Sequence, residues 1–378
     1  MEKRDENVPK LRFPEFGQNW SEQKIKTSYM LVSGQHLNPD EYSKVIRNTT
    51  PYFTGPSDFT NDENKVNKWS LKEGKMASKG DLLITVKGNG VGTMMLLNLT
   101  KIVMGRQLMA LTSQVASTTL LFHYLQLRKE YFEKLAAGNM IPGLSRKDIQ
   151  ETKIKLPTLP EQQKIANFLT AVDQKIEQLS KKVDLLKQYK KGVMQQIFNQ
   201  EIRFKADDGS DFPEWEEKRL EDYTKKISSG KTKPSDTGNF HVFGSRGIIG
   251  SAEKYTHSGE FLLVARVGAN AGFLRKVKGS FCVTDNTLVI DIKKNISNIK
   301  FIYYSMDHYN LNQLVFGSGQ PLITSKQLKS ILLKMPSLPE QQKIASFLTT
   351  IDQKITQVTT QLEKTKAFKK GLLQQMFV

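Results

Sequence analysis

Apolar residues between positions 165 and 186 recur at alternating steps of four and three: Ile165, Leu169, Val172, Ile176, Leu179, Val183 and Leu186. A second run, Ile344, Leu348, Ile351, Ile355, Val358 and Leu362, repeats the pattern near the C-terminus. A mean spacing of 3.5 residues is the seam of a left-handed coiled coil. After Leu186 the phase slips to Tyr189, Val193 and Ile197, and the second run slips likewise to Phe368, Leu372 and Met376. Each run opens on Leu-Pro-Glu, and Pro160 and Pro339 suit the first turn of a helix, where their missing N–H would be unpaired anyway. Glu161 and Glu340 suit the positive end of the same helices. The pattern predicts two helices of about 40 residues, each about 60 Å long.

The two runs are copies. Leu159-Pro-Glu-Gln-Gln-Lys-Ile-Ala-Asn-Phe-Leu-Thr-Ala-Val-Asp-Gln-Lys-Ile176 returns as Leu338-Pro-Glu-Gln-Gln-Lys-Ile-Ala-Ser-Phe-Leu-Thr-Thr-Ile-Asp-Gln-Lys-Ile355, an offset of 179 that holds from Leu159/Leu338 to Phe198/Phe377. Two near-identical long helices most simply pack on each other, and copies related by a local two-fold axis lie antiparallel. The duplication also reaches beyond the helices. Arg12-Phe13-Pro14-Glu15 and Trp20 echo in Arg203-Phe204 and Phe212-Pro213-Glu214-Trp215, with an insertion between.

Each copy therefore carries a variable stretch of domain size ahead of its helix. The predicted divisions are a domain over 1–157, a helix over 158–200, a second domain over 201–336 and a second helix over 337–378. In both domains a continuous apolar run reads as a buried strand, Gly80 to Lys87 and Gly259 to Arg266. Each runs into a glycine loop, Gly88-Asn-Gly90-Val-Gly92 or Gly268-Ala-Asn270-Ala-Gly272. A dinucleotide site is rejected, because no amphipathic helix follows and the second copy lacks the Gly-x-Gly spacing. Two readings stay open: a tight β turn, or a loop that brings backbone and Lys87 or Arg266 close to a DNA backbone. Further strands are expected near Ile102 to Gln107 and Phe281 to Asn286. Helices are expected over His123 to Phe132 and Lys300 to Met306, with Ser145 and Thr324 as N-caps of short turns. The expected fold class is α+β: two mixed α/β domains separated by two long helices that form an antiparallel coiled coil, with internal pseudo-two-fold symmetry.

Charge narrows the function. The 378 residues carry 56 Lys and Arg against 38 Asp and Glu, a formal net charge of +18. Clusters such as Lys225-Lys226, Lys231-Thr-Lys233 and Arg275-Lys-Val-Lys278 spread it over the chain, which on a folded surface favours phosphate. The single Cys282 gives no internal disulfide, and the five histidines have no paired metal spacing. No apolar run approaches a membrane span and the N-terminus is charged, so the expected location is the cytoplasm. Nucleotide-binding, amino-methyltransferase and zinc-protease motifs are absent from the sequence. Asp58, Asp81 and Asp285 are isolated carboxylates better suited to capping or surface roles than to a nuclease. The chain reads as binding rather than chemistry.

The duplicated Pro-x-Leu-Pro-Glu-Gln-Gln-Lys-Ile-Ala motif, led by Leu156 in one copy and Met335 in the other, with its long helix and a preceding variable domain ending in Gly-x-x-x-Pro, resembles the specificity subunit of type I restriction-modification enzymes. The resemblance covers essentially the whole chain. It implies a non-catalytic subunit that recognises double-stranded DNA and assembles with two methyltransferase and two motor-nuclease subunits. S-adenosylmethionine would then sit on the methyltransferase partners, and ATP with Mg²⁺ on the motor partners, leaving no cofactor on this chain. Each target-recognition domain would read one half of a bipartite, asymmetric target, with the helices setting the gap and docking the methyltransferases. Side chains able to pair two-pronged with a base edge are then the candidate readers: Asn89, Arg106 and Asn139 in the first domain, Arg246, Asn270 and Gln320 in the second. Lys87 and Arg266 suit phosphate contacts. The competing reading is a coiled-coil adaptor that binds only protein, which leaves the positive charge without a role.

Overall fold

The computed structural model describes residues 8–45, 49–137, 143–315 and 321–378. The chain forms two compact units, one of residues 1–179 with 361–378, the other of residues 180–360. The division passes through the long helices, so each unit holds one α/β domain, half of one helix and part of the other.

In the first unit a four-stranded antiparallel sheet runs in the order Met30–Ser33, Leu108–Thr112, Leu82–Thr85, Met94–Leu96. A smaller three-stranded sheet places Lys101–Met104 between Tyr52–Phe53, which is parallel to it, and the antiparallel Met76–Ser78. Leu82 and Ile84 face one core with the helix Thr118–Gln126, while Leu83 faces a second core with Phe53, Ile102 and Met104. Burial on both faces is why this strand is a continuous apolar run instead of an alternating one. The second unit has a six-stranded sheet, ordered Thr224–Ser229, Thr287–Ile292, His257–Ala265, Leu274–Val283, Phe240–Gly244, Gly247–Ala252. There Leu262 and Val264 pack toward the helix Ile299–Tyr309, and Leu263 packs with Phe281 and Val283 on the other face. Both expected N-caps form capping boxes, Ser145 ahead of Arg146–Gln150 and Thr324 ahead of Ser325–Lys329. The helix expected over His123 to Phe132 is instead two, Thr118–Gln126 and Lys129–Ala136. The chain leaves helical geometry at Arg128 (φ −104°, ψ 14°), whose N–H turns back to the Leu125 carbonyl.

The long helices span Leu159–Phe198 and Leu338–Met376. They pair antiparallel, as each unit shows by itself. In the first unit Phe377 packs on Trp20, whose indole N–H donates to Glu161, while eight residues back along the second helix Lys369 meets Asp173 at 2.6 Å. In the second unit Arg203, just past the end of the first helix, binds Glu340, while Lys190 meets Asp352 at 2.7 Å. Asp173 and Asp352 are repeat counterparts, and so are Lys190 and Lys369. The two ion pairs are thus one interaction made twice, once in each unit, with the roles of the helices exchanged.

These pairs correct the expected seam. Tyr189 and Phe368 do not continue it, being 52% and 56% exposed. The inward positions one residue later belong to Lys190 and Lys369, whose side chains are only 18% and 16% exposed. The seam keeps its phase through Leu186, Lys190, Met194 and Ile197, and the apparent slip arises because an aromatic residue sits beside each seam lysine.

The repeated Glu-Gln-Gln segment is an anchor. Glu161, 1% exposed, accepts from Arg12 at 2.7 and 2.8 Å. Gln162 accepts from the Ser117 N–H at the start of Thr118–Gln126 and donates to the Pro157 carbonyl. Gln341 does the same with Asn298 and Pro336. Each long helix is thereby bonded to the first turn of its own domain's helix. Among the described residues no helix is long and apolar enough to cross a membrane, and no group of three His, Cys, Asp or Glu is placed to hold a metal ion.

Candidate functional site

Because Tyr52–Phe53 runs parallel to Lys101–Met104, both strands deliver their C-terminal turns to the same end of the first domain. The Gly105 N–H donates to the Phe53 carbonyl at 2.7 Å, and the Val86 N–H donates to the Gln107 carbonyl at 2.8 Å. The glycine loop that follows Val86 is a hairpin connection, since Leu82–Thr85 pairs antiparallel with Met94–Leu96. A third segment joins them where Lys87 pairs with Gly143 and the Leu144 N–H reaches the Val86 carbonyl. Lys87, Asn89 and Arg106 are all exposed here, on adjoining turns.

The turn after Phe53 is held from beneath. Asp58, 6% exposed, accepts from the Thr54 N–H at 2.8 Å and the Thr54 hydroxyl at 2.6 Å, and pairs with Lys68 Nζ at 2.9 Å. Burial alone pushes this carboxyl up, but the Thr54 hydroxyl, the Lys68 ammonium and the Thr54 N–H together hold it below its ordinary value. Asp58 is thus a structural clamp, and Asp81 caps the Ser78 N–H.

The second domain repeats the construction. Phe240–Gly244 runs parallel to the end of Leu274–Val283, and the Thr284 N–H donates to the Phe243 carbonyl at 3.0 Å. The Arg266 N–H donates to the Asn286 carbonyl at 2.9 Å, as Val86 does to Gln107. The Ser245 hydroxyl reaches the same carbonyl, which places the exposed Arg246 in this cluster. The Gly268 N–H bonds the Pro321 carbonyl, so the third segment is present too. In both domains a strand crosses the turn closely: a Cβ on Gly34 would lie 2.2 Å from the Gly105 carbonyl oxygen, and one on Gly230 2.0 Å from that of Val283. Only glycine fits.

The structure brings Lys87, Asn89 and Arg106 together, and Arg246 with Arg266. Arg266 is half-buried; its Nη1 lies 3.5 Å from the Asp285 carbonyl, too far for a firm bond. Asn270 lines a separate cleft of about 370 Å³ beside Tyr303, Asp307 and Asn312. Asn139 and Gln320 lie outside the described residues. What the sequence reading passed over is Gln107, beside the candidate Arg106, and its counterpart Asn286, beside Asp285. The shared offset already matched them. Their importance comes from strand pairing that no local pattern reveals.

The chain thus carries two similar loop clusters, each on its own α/β scaffold, and two antiparallel helices. A family model for the type I restriction modification DNA specificity domain matches residues 24–188 and 213–366, and the chain belongs to that family. It is similar to the EcoprrI specificity subunit of Escherichia coli (32% identity over 34% of this chain and 31% of that one) and to the MjaVIII specificity subunit of Methanocaldococcus jannaschii (26% identity over 67% and 68%). The chain thus spans about a third of the first relative and about two thirds of the second. The type I restriction-modification S subunit from M. genitalium shares the fold, with a TM-score of 0.73 at 18% identity over 98% of this chain and 99% of that one. A chain of another type I R-M system, studied for complex assembly and conformational transition, gives 0.52 at 18% identity over 94% and 95%. Both of these relatives are named as specificity subunits of type I restriction enzymes.

Proposed function

We propose that each loop cluster reads one half of a bipartite, asymmetric target in double-stranded DNA, and that the antiparallel helices set the gap between the half-sites and dock the methyltransferase subunits. The observation that carries this reading is the repetition of one rigid turn cluster with different side chains at matched positions, Arg106-Gln107 in one domain and Asp285-Asn286 in the other. A duplex backbone has two-fold symmetry, so a chain with an internal two-fold can present similar scaffolds to it while differing side chains read different bases. Lys87, Arg106, Arg246 and Arg266 supply positive charge at the clusters; Asn89, Asn270, Asn139 and Gln320 complete the candidate contacts.

The chain then works in the cytoplasm with two methyltransferase and two motor-nuclease partners. S-adenosylmethionine belongs to the former, and ATP with Mg²⁺ to the latter. Co-expression with a cognate methyltransferase subunit in a methylation-free host, followed by long-read mapping of modified bases, tests the proposal. A bipartite motif with a fixed gap and a modified adenine on each strand is expected. An assembled complex that modifies nothing would favour the protein-only adaptor.

A further inference from the structure

We propose that Gln107 is a base-reading residue of the first domain, presenting its carboxamide to an adenine edge in the major groove of duplex DNA. The inference rests on the reading of the chain as a specificity subunit and goes beyond it by naming one reader and its base. Four observations converge on this residue. Gln107 is half-buried, yet its carboxamide has no hydrogen-bond partner among the described residues. The amide, unpaired by protein and not sealed from solvent, is available to a partner from outside. The group is held in a slot made by missing side chains: a Cβ on Gly55 would lie 2.7 Å from Gln107 Oε1, and one on Gly88 3.7 Å from Nε2. The backbone beneath is fixed, since the Gln107 carbonyl accepts from Val86, the Leu108 N–H returns to Gly105, and Asp58 ties down the Thr54 end of the facing turn. Finally, exposed Lys87 and Arg106 flank the amide with positive charge.

A glutamine carboxamide matches adenine in the major groove, with Oε1 accepting from N6–H and Nε2 donating to N7. The matched residue of the second domain, Asn286, carries the same amide on a side chain one methylene shorter. A shorter reader on a near-identical turn is one way for two similar scaffolds to reach different positions in their half-sites.

The experiment compares the wild-type chain, Gln107→Ala, Gly55→Ala and Lys87→Ala, each co-expressed with the methyltransferase partner, by mapping methylation and by competition binding to duplexes with single base changes. Gln107→Ala is expected to lose on the order of tenfold to a hundredfold of discrimination at one A·T pair of one half-site, with the other half-site unchanged. Gly55→Ala leaves Gln107 in the sequence but puts a methyl group 2.7 Å from Oε1, so the carboxamide must move, and is expected to relax the same position. Lys87→Ala should weaken all sequences alike. Two unchanged half-sites in both Gln107→Ala and Gly55→Ala, with Lys87→Ala still weakening binding, would overturn the role of Gln107 while leaving DNA reading intact. A wild-type complex with no sequence-specific target overturns both.

Discussion

Arg12 and Arg203 neutralise two of the most deeply buried charges in the molecule. Glu161 and Glu340 are 1% and 0% exposed, and the cost of burying a carboxylate is met only if it stays paired. The two sites differ in one respect. Glu161 also accepts from the Trp20 indole at 3.3 Å, whereas Trp215 Nε1 is buried with no hydrogen-bond partner, so that among the described residues Arg203 is the sole side-chain donor to Glu340. Arg12→Ala and Arg203→Ala should each cost roughly 3–5 kcal/mol, with Arg203→Ala the more severe. Calorimetric unfolding of both, and of Arg203→Ala/Glu340→Leu, checks this. If the double variant does not regain stability, an unpaired carboxylate is not the cause. His123 offers a second test. It is 1% exposed, and neither ring nitrogen has a hydrogen-bond partner among the described residues, although Nδ1 lies 4.0 Å from Asp173 Oδ2. Burial first, and the Lys369 ammonium second, lower it to about 4, with Asp173 opposing. A histidine lowered in the folded state stays neutral there while the unfolded chain takes up a proton below about pH 6.5, so stability is lost as pH falls from about 6.5 towards 4. The loss should reach on the order of 3 kcal/mol by about pH 4. In His123→Leu, urea unfolding followed between pH 7 and 4.5 should show a flatter dependence than wild type.

At the scale of elements, the long helices show what a periodic pattern reveals and what it conceals. Their limits, duplication and antiparallel pairing follow from the proline starts and the 3.5-residue spacing. The seam lysines do not, because periodicity ranks Tyr189 above Lys190 on hydrophobicity alone. What turns Lys190 inward is Asp352, far off in sequence, together with the Tyr304 ring 5.1 Å away, whose hydroxyl also donates to Asp352 at 2.7 Å. A charged residue at a seam position lowers stability relative to an apolar one but admits fewer registers. Lys190→Glu should therefore destabilise the second unit, and Lys190→Glu/Asp352→Lys should recover part of the loss. A coupling energy on the order of 1–2 kcal/mol is expected from the double-mutant cycle, modest because Asp352 is 37% exposed. Coupling near zero would make the pair incidental. The domains divide the same way. The strand ending at Thr85 was legible because both its faces are buried. Gln107 was not, because its setting depends on Gly55, which only the parallel strand pair brings beside it.

For the whole molecule, the proposed reading of DNA gives separate roles to the net charge of +18 and to the loop clusters. Lys225, Lys226, Lys231, Lys233, Lys276 and Lys278 are exposed in the second domain with no acidic partner among the described residues, so they remain free to displace counterions from phosphates. Such contacts raise affinity for every sequence and carry no base information. Affinity for any duplex should therefore fall steeply with salt, and each lysine that touches a phosphate should contribute about 0.9 to the slope of log K against log salt. Lys276→Ala/Lys278→Ala should reduce that slope by up to about 2 and weaken target and non-target DNA by the same factor. The ratio of the two affinities, and the methylated motif, should stay as in wild type. Titrations of target and scrambled duplexes between 50 and 200 mM salt separate the two contributions. A changed ratio with an unchanged slope would assign these lysines to base recognition and overturn the division between a diffuse basic surface and a few rigidly held readers.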